Sequence, residues 1–513
     1  MSLLNISPRE YQKAIFETAK EKNTLVVLPT GIGKTLIALM LAVERKKNYP
    51  LSKIVFLAPT RPLVEQHIEY FKKHLPELFA ELHLFTGQVP AEKRKELWQT
   101  AEIIFSTPQC VANDLENHLY NLNDVSLLII DEAHRCLKNY DYTKVVSFYK
   151  NQSKMQRILG LTASPGSDFE KVMQIANHLA LEEIEIRTRE SKDVRPYIKE
   201  RDYKKIEVPF PPQFMEIRAL LKKIYDEKVN KLKSSDFIFG PVNKITLLKL
   251  QQRLFSQLQQ KNFAALGGLS LTSQAIKLSH AIELLETQTL SGTNNYLKSL
   301  IEQSNQKKSR AVQTLVKSPE FNAAFILLQE LIARKIEHPK IGELAKIIEN
   351  EFINNSNSKI IVFAQFRETA QAISNKINNI RNVKSAIFIG QTKKKELGLS
   401  QKEQKQIIDD FKEGKINVIC ATSIGEEGLD IPEVSAVIFY EPIPSAIRKI
   451  QRAGRTARLQ PGKLIILVTK DTKDEIHHYA SSARERKMYK TIEQVKKDLK
   501  NKNKTKTLED FKK

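Results

Sequence analysis

Cysteine is scarce in this chain of 513 residues, with Cys110, Cys136 and Cys420 far apart and no Cys-x-x-Cys pair. Three isolated cysteines argue against a disulfide scaffold or a zinc ribbon and favour a reducing compartment, so we expect a cytoplasmic protein. No apolar run approaches the ~20 residues needed to cross a bilayer, and the N-terminus lacks a basic segment followed by an apolar one. These absences exclude secreted, membrane-spanning and metal-clipped classes.

Acidic residues are also few relative to basic ones. The chain has 82 lysines and arginines against 59 aspartates and glutamates, a net charge of +23. Residues 1–200 carry +2, residues 201–340 carry +10 and residues 341–513 carry +11, of which residues 484–513 hold +7. A basic excess points to polyanions; for the tail, the alternative is a solvated lysine-rich surface.

Apolar runs alternate with helical patterns in the first and last parts of the chain. They lie at 24–28, 53–58, 103–105 and 127–130, and again at 359–364, 385–389, 417–421, 436–440 and 464–469. Such runs predict parallel sheets covered on both faces, whereas residues 211–340 show only helical patterns. The length of 513 residues suits about three domains, and hydrophobic residues, at 41%, suffice for their cores. We expect an α/β fold with two parallel-sheet domains and an all-helical insert, divided as 1–200, 201–337 and 338–483, with a basic C-terminal helix or tail at 484–513.

A phosphate-binding loop is predicted where the first apolar run leads into PTGIGKT at 29–35 and then into a helix. Loop N–H groups and a helix N-terminus face an anion, the Lys34 ammonium reaches the β- and γ-phosphates, and the Thr35 hydroxyl ligates Mg²⁺. One departure is plain, because Leu28 stands where the pattern has its first glycine. The residues expected to form this site are Thr30, Gly31, Gly33, Lys34 and Thr35.

Two carboxylates follow the run at 127–130, in the sequence DEAH at 131–134. The carboxyl edge of a parallel sheet is where ligands sit, so Asp131 is expected to hold Mg²⁺ and Glu132 to polarise the attacking water. The alternative is an acidic helix start stabilised by the helix dipole. The presence of Lys34 favours hydrolysis of a nucleoside triphosphate.

A third element, QRAGRTAR, lies at 451–458 in the second α/β domain. Arg455 and Arg458 are three residues apart and hence on one helix face, suited to stabilise charge on a transferring phosphoryl group. The alternative is an arginine-rich solvated helix.

These three elements resemble the DEAH-type helicases and translocases of superfamily 2. Further strings match that family's motifs in order: REYQ at 9–12, APTRPL at 58–63, TG at 86–87, STPQ at 106–109, TAS at 162–164, IVFAQFR at 361–367 and ATSIGEEGLDIP at 421–432. The resemblance implies two RecA-like domains with ATP and Mg²⁺ between them. It also implies that Gln12 reads the adenine, that Asp430 approaches the nucleotide sugar, and that Gln451 belongs to the arginine motif. By the same resemblance, Thr60, Arg61, Thr107 and Thr422 contact a nucleic-acid strand, and His134, Thr162 and Ser164 couple the ATP state to that contact.

Within the superfamily, EEGLD at 426–430, FYEPIPSAIR at 439–448 and SSARERKM at 481–488 resemble archaeal Hef helicases and the FANCM-like branch, to which the RIG-I-like RNA receptors and Dicer are related. The insert would then be a thumb-like domain that lies on duplex or branched DNA. Ala457 departs from the glycine of many relatives. Hef-type proteins usually continue into a nuclease domain, and we expect none here.

We therefore expect an ATP-dependent DNA helicase or translocase that acts on forked or branched DNA in fork repair or restart. DNA is the expected partner, no membrane is expected, and a separate nuclease or clamp protein is a candidate partner. One alternative is a duplex-RNA translocase of the RIG-I or Dicer kind. The other is a nucleic-acid clamp that binds ATP without turnover.

Overall fold

The fold is taken from a computed structural model that describes residues 5–137, 140–390, 398–422, 431–456 and 461–510, with side chains to residue 501. Two parallel sheets, each covered by helices, flank a helical bundle. Within the described ranges, no helix is both long enough and apolar enough to cross a membrane.

The first lobe is a seven-stranded sheet in the order β3-β4-β2-β5-β6-β1-β7. Its strands are β1 Thr24–Val27, β2 Lys53–Leu57, β3 Leu82–Phe85, β4 Ile103–Ser106, β5 Val125–Ile130, β6 Ile158–Thr162 and β7 Glu183–Ile186. Its helices are α1 Glu10–Glu21, α2 Lys34–Asn48, α3 Arg61–His74, α4 Ala91–Thr100, α5 Pro108–Glu116, α6 Asp141–Gln152 and α7 Phe169–His178. The apolar runs predicted at 24–28, 53–58, 103–105 and 127–130 are the strands β1, β2, β4 and β5.

Both faces of this sheet are buried, which explains why its strands are apolar without alternation. Leu128 and Ile130 of β5 pack in one apolar core, and their neighbours Leu127 and Ile129 pack in the other. Because helices cover both faces of the sheet, the loops that bear the motifs lie at its carboxyl edge.

The second lobe is a six-stranded parallel sheet in the order β10-β11-β9-β12-β13-β8. Its strands are β8 Arg201–Val208, β9 Ile360–Phe363, β10 Ser385–Phe388, β11 Val418–Ala421, β12 Ala436–Phe439 and β13 Gly462–Thr469. Its helices are α14 Pro339–Asn354, α15 Arg367–Ile377, α16 Gln401–Glu413 and α17 Ala446–Ala453.

Strand β8 differs from the sequence expectation, which placed residues 201–208 at the start of the helical insert. The whole strand pairs in parallel with β13, from Arg201 opposite Gly462 to Val208 opposite Thr469. It is an edge strand with mostly charged side chains, half of its residues are exposed, and it therefore carries no apolar run that a sequence pattern could report.

The insert is helical, as expected, and consists of α8 Pro212–Ser234, α9 Lys244–Gln259, α10 Ala265–Thr287, α11 Leu290–Asn305, α12 Arg310–Val316 and α13 Pro319–Ala333. It has two apolar clusters. One lies among α8, α10, α11 and α13, and a smaller one joins the end of α8 to α9 and the first half of α10.

The last helix, α18 Lys473–Asp510, starts on the second lobe and ends on the first. Its residues Met488, Ile492, Val495 and Leu499 are buried in an apolar core of the first lobe. Lys496 lies 3.4 Å from Glu183 at the start of β7. The basic segment expected at 484–513 is therefore helical as far as it is described, to Asp510, and its apolar side ties the two lobes together.

Candidate functional site

The predicted phosphate loop joins β1 to α2 with the backbone that such a loop requires. Gly31 and Gly33 have φ values of 82° and 84°, in the left-handed region that glycine adopts without strain. Lys34 is the first residue of α2, and its Nζ donates a 3.2 Å hydrogen bond to the carbonyl of Leu28. The ammonium group thus lies over the loop, beside the helix N-terminus that favours an anion.

Helix α1 supports this loop from behind. The Tyr11 hydroxyl donates to the Ile32 carbonyl at 2.5 Å, and the Gln12 amide donates to the Gly33 carbonyl at 3.2 Å. A Cβ on Gly33 would overlap that amide, so the observed position of the Gln12 side chain depends on this glycine. Gln12 is 2% exposed and touches the loop directly; its part in reading an adenine stays a prediction.

The two residues predicted to hold Mg²⁺ are joined by a histidine of α3. His67 Nε2 lies 3.0 Å from Asp131 Oδ2, and His67 Nδ1 lies 3.5 Å from Thr35 Oγ1. Burial works against the charge on Asp131, but the hydrogen bond from His67 and the charges of His67 and Lys34 hold the pKa of this carboxyl below its usual value. The oxygens of Thr35 and Asp131 are donors of the kind that Mg²⁺ takes beside substrate phosphates, so these residues fit that ion.

The residues after Asp131 form a chain towards the coupling motif. Glu132 has a φ of 49°, a left-handed conformation that is strained for a residue with a side chain. Its carboxylate lies 3.2 Å from His134 Nδ1, which in turn lies 3.2 Å from the hydroxyl of Thr162. The Thr162 hydroxyl also accepts the backbone N–H of Ser164 at 3.1 Å. Glu132, His134, Thr162 and Ser164 are thus in contact, and their roles in hydrolysis and coupling stay predictions.

The second lobe reaches this site through α17 and the turn after it. A Cβ on Gly454 would overlap the hydroxyl of Thr30, so this glycine of the arginine motif lies directly against the phosphate loop. Gln451 is buried in α17, and Arg455 follows Gly454. Arg458 and Asp430 lie outside the described residues.

The predicted strand-contacting residues lie at the carboxyl ends of strands. Thr60 follows β2 and Thr107 follows β4, which are neighbours in the first sheet, and Thr422 follows β11 in the second. Arg61 forms an ion pair with Glu65 at 2.6 Å. The strand contacts of all four residues stay predictions.

Two residues of the site were missed from the sequence. Tyr11 lay in a recognised motif but was given no role. His67 had a local signal, because it is a polar residue among Val64, Ile68 and Phe71 on the buried face of α3. A buried histidine on an apolar face needs a partner, but the sequence does not say which one.

Comparison with protein families matches three segments of the chain. Residues 9–172 match the DEAD/DEAH box helicase model, and residues 340–460 match the helicase conserved C-terminal domain. Residues 213–335 match the helical bundle of an ATP-dependent RNA helicase model. The three matches fall on the first lobe, the second lobe and the insert.

Individual relatives cover nearly the whole chain. An ATP-dependent RNA helicase of Methanocaldococcus jannaschii is 37% identical over 96% of this chain, and an ATP-dependent DNA helicase of Neurospora crassa is 34% identical over 92%. The chain spans only 61% and 42% of these relatives. The crystal structure of the Pyrococcus furiosus Hef helicase domain is 41% identical, with a TM-score of 0.71, over 92% of this chain and 98% of that one.

Proposed function

The chain belongs to the Hef/FANCM-like DEAD/DEAH-box helicases of superfamily 2, and on that premise we propose that it is an ATP-dependent DNA helicase or translocase acting on forked or branched DNA. Fork repair or restart is the process we assign to it. The observation that carries the proposal is the contact of Gly454 with Thr30, because it brings the arginine motif of one lobe onto the phosphate loop of the other.

In the proposed reaction the first lobe binds the nucleotide and the second lobe completes the site. Lys34 and the loop N–H groups hold the phosphates, and Thr35 with Asp131 would hold Mg²⁺, which supplies charge neutralisation at the phosphates. Glu132 orients the attacking water. Arg455, with Arg458, stabilises charge that develops on the transferred phosphoryl group once the cleft is closed.

Coupling to the strand follows from differential affinity for the closed and open forms. His134 contacts both Glu132 and Thr162, so a movement of the Glu132 carboxylate would displace His134 and, through it, Thr162 of the coupling motif. Thr60, Arg61, Thr107 and Thr422 would grip the strand on both lobes. Each cycle of closure and opening would then move the lobes along it.

Duplex RNA is a second candidate substrate, because the Methanocaldococcus relative and the bundle model carry RNA helicase names. We favour DNA, since several relatives that match more than nine tenths of the chain carry DNA helicase names. Separate nuclease or clamp proteins are candidate partners. Buried thiols at all three cysteines, each within the described ranges, support our assignment to the reducing cytoplasm.

The test is the rate of phosphate release with single-stranded, duplex, forked and four-way DNA, and with duplex RNA. The proposal predicts the strongest stimulation by forked or four-way DNA. Stronger stimulation by duplex RNA would show that RNA is the substrate. If no nucleic acid stimulates phosphate release, the protein is a nucleic-acid clamp that binds ATP without turnover.

A further inference from the structure

Three loops of the first lobe follow neighbouring strands and lie side by side at its carboxyl edge. Strands β3, β4 and β2 are adjacent in the sheet, and they are followed in turn by the TG string at 86–87, by Thr107 and by Thr60. A Cβ on Gly87 would meet no atom within 4 Å, so the loop after β3 is open at this point. This loop therefore lies in line with two of the residues predicted to contact the strand.

A buried arginine joins the loop after β3 to the next element. Arg94 lies in the first turn of α4 and is 7% exposed. One nitrogen of its guanidinium group donates hydrogen bonds to the carbonyls of Thr86 and Val89, the first at 3.5 Å. The other two nitrogens donate to both carboxylate oxygens of Asp114 on α5, with Nε 2.7 Å from Oδ2. The same side chain thus holds the loop after β3 and the helix that begins after Thr107.

Asp114 has a second partner, which ties it back to α4. It is 1% exposed, and its Oδ2 also accepts the hydroxyl of Tyr120 at 3.0 Å. The Tyr120 ring stacks on Trp98 of α4, with 4.0 Å between the ring centroids. The Ser106 hydroxyl donates to the carbonyl of Phe85 at 2.8 Å, which links the ends of β4 and β3 directly. These contacts leave the loop after β3 and the start of α5 little freedom to move independently.

Stability alone does not explain this buried ion pair. Taking two charges out of water costs about as much free energy as their attraction contributes, so buried pairs are weak sources of stability. Their hydrogen bonds are directional, and an arginine fork on a carboxylate fixes the relative position of both groups. The bond with Asp114 raises the pKa of Arg94 and outweighs its burial, so the guanidinium group stays charged. The pair is therefore suited to fix the spacing of the two loops that it joins.

We propose that Arg94 and Asp114 are positioning residues, which hold the loop at 86–90 and Thr107 in the arrangement that binds the strand. Both side chains are buried, so they act through these loops and not by contact with the strand. The inference rests on the proposed function, since it assumes a nucleic-acid strand at this edge. It assigns a role to two residues that lie outside the strings shared with the helicase motifs.

The direction of the effect separates positioning from charge. Asp114→Asn removes one acidic group from the first lobe, so electrostatics alone would leave DNA binding unchanged or make it tighter. Positioning predicts weaker binding, because the amide of Asn has one oxygen to accept what two carboxylate oxygens accept from Arg94. Glu116→Gln is the matched control. It removes one acidic group from the same helix, and its partner Lys144, 2.8 Å away, lies on α6.

The experiment measures ATPase against the concentration of a fork with unpaired homothymidine arms of about 20 nucleotides. In Asp114→Asn the concentration that gives half-maximal stimulation should rise about tenfold, while KM for ATP stays close to that of wild type. Glu116→Gln should match wild type in both quantities. Arg94→Lys keeps the charge but cannot span Asp114 and the loop carbonyls, so it should also raise the fork concentration, and it decides the question if Asp114→Asn does not fold.

The outcomes separate this inference from the proposed function. If forks stimulate wild type and either folded variant needs no more fork than wild type, this inference fails and the proposed function stands. An equal loss of affinity for ATP and for the fork would also overturn it, because that result indicates general damage to the first lobe. If no fork stimulates the wild-type ATPase, the proposed function fails, and this inference fails with it.

Discussion

His67 Nε2 lies 3.0 Å from Asp131 Oδ2, and the same ring contacts Thr35, so one histidine holds both residues predicted to bind Mg²⁺. Neither partner is near His67 in sequence. Residues that orient metal ligands in this way commonly change metal affinity by about 10- to 100-fold when removed.

His67→Ala should therefore raise the Mg²⁺ concentration needed for half-maximal ATPase by about tenfold or more. Hydrolysis at saturating Mg²⁺ should recover much of its rate, because the substitution leaves Lys34 and the N–H groups of the phosphate loop in place. A magnesium titration of the ATPase measures this. His83→Ala, which changes a histidine that lies 3.8 Å from the exposed carboxylate of Glu81, is the control. An unchanged magnesium requirement in His67→Ala would contradict the positioning role.

The Gly454–Thr30 contact predicts that lobe closure tolerates no side chain at position 454. In Gly454→Ala the added Cβ would meet the Thr30 hydroxyl and hold the lobes apart, so DNA-stimulated hydrolysis should fall by about tenfold, the equivalent of about 1.4 kcal/mol in the barrier. Gly342→Ala is matched, since a Cβ there meets no atom within 4 Å. Equal rates in the two variants would show that catalysis does not use this closed arrangement.

Glu441 predicts a pH-dependent stability. Burial raises its pKa to about 7, with Asp474 adding to the effect and Lys340 and Arg452 opposing it. Because this pKa is raised above that of the unfolded chain, the stabilisation is present below pH about 4.5 and is lost as the pH rises through about 7. Glu441→Gln should therefore be more stable than wild type above pH 7, by up to ~3 kcal/mol, and should lose this advantage in acid.

Urea unfolding at several pH values measures that difference. Glu349→Gln, an exposed change on α14, should shift stability little at any pH. A constant difference between Glu441→Gln and wild type across this range would contradict the buried, protonated state of Glu441.

Helix α18 predicts that the last part of the chain stabilises the first lobe. Ile492 is fully buried in the core of that lobe, so Ile492→Ala should cost about 2–5 kcal/mol of unfolding free energy. Lys496→Ala removes only a partly exposed ion pair with Glu183 and should cost less than ~1 kcal/mol. If both substitutions cost the same small amount, the helix does not pack on the lobe as described.

Much of the fold was readable from the sequence because strands buried on both faces are apolar throughout. Strands β1, β2 and β5 are of this kind, whereas the edge strand β8 has mostly charged side chains and could not be predicted in this way. The apolar spacing of Met488, Ile492 and Val495 was also present in the sequence. The surface that covers it was not, because that surface is built by residues far away in the chain.

For the candidate site, too, some features could be predicted from the sequence and others could not. Lys34, Asp131 and Glu132 stand in recognisable strings next to strand ends, so chemistry and place could be inferred together. The contacts of His67 with Asp131 and of Gly454 with Thr30 arise from long-range packing, which no local pattern reports.

We propose that DNA bound elsewhere on the protein stimulates ATP hydrolysis at the phosphate loop, and Lys34→Ala tests this proposal most directly. Phosphate release and binding of forked DNA should be measured on the same preparation of wild type and variant. We predict that Lys34→Ala abolishes DNA-stimulated phosphate release while its affinity for the fork stays close to that of wild type. Hydrolysis that survives the substitution would contradict the account.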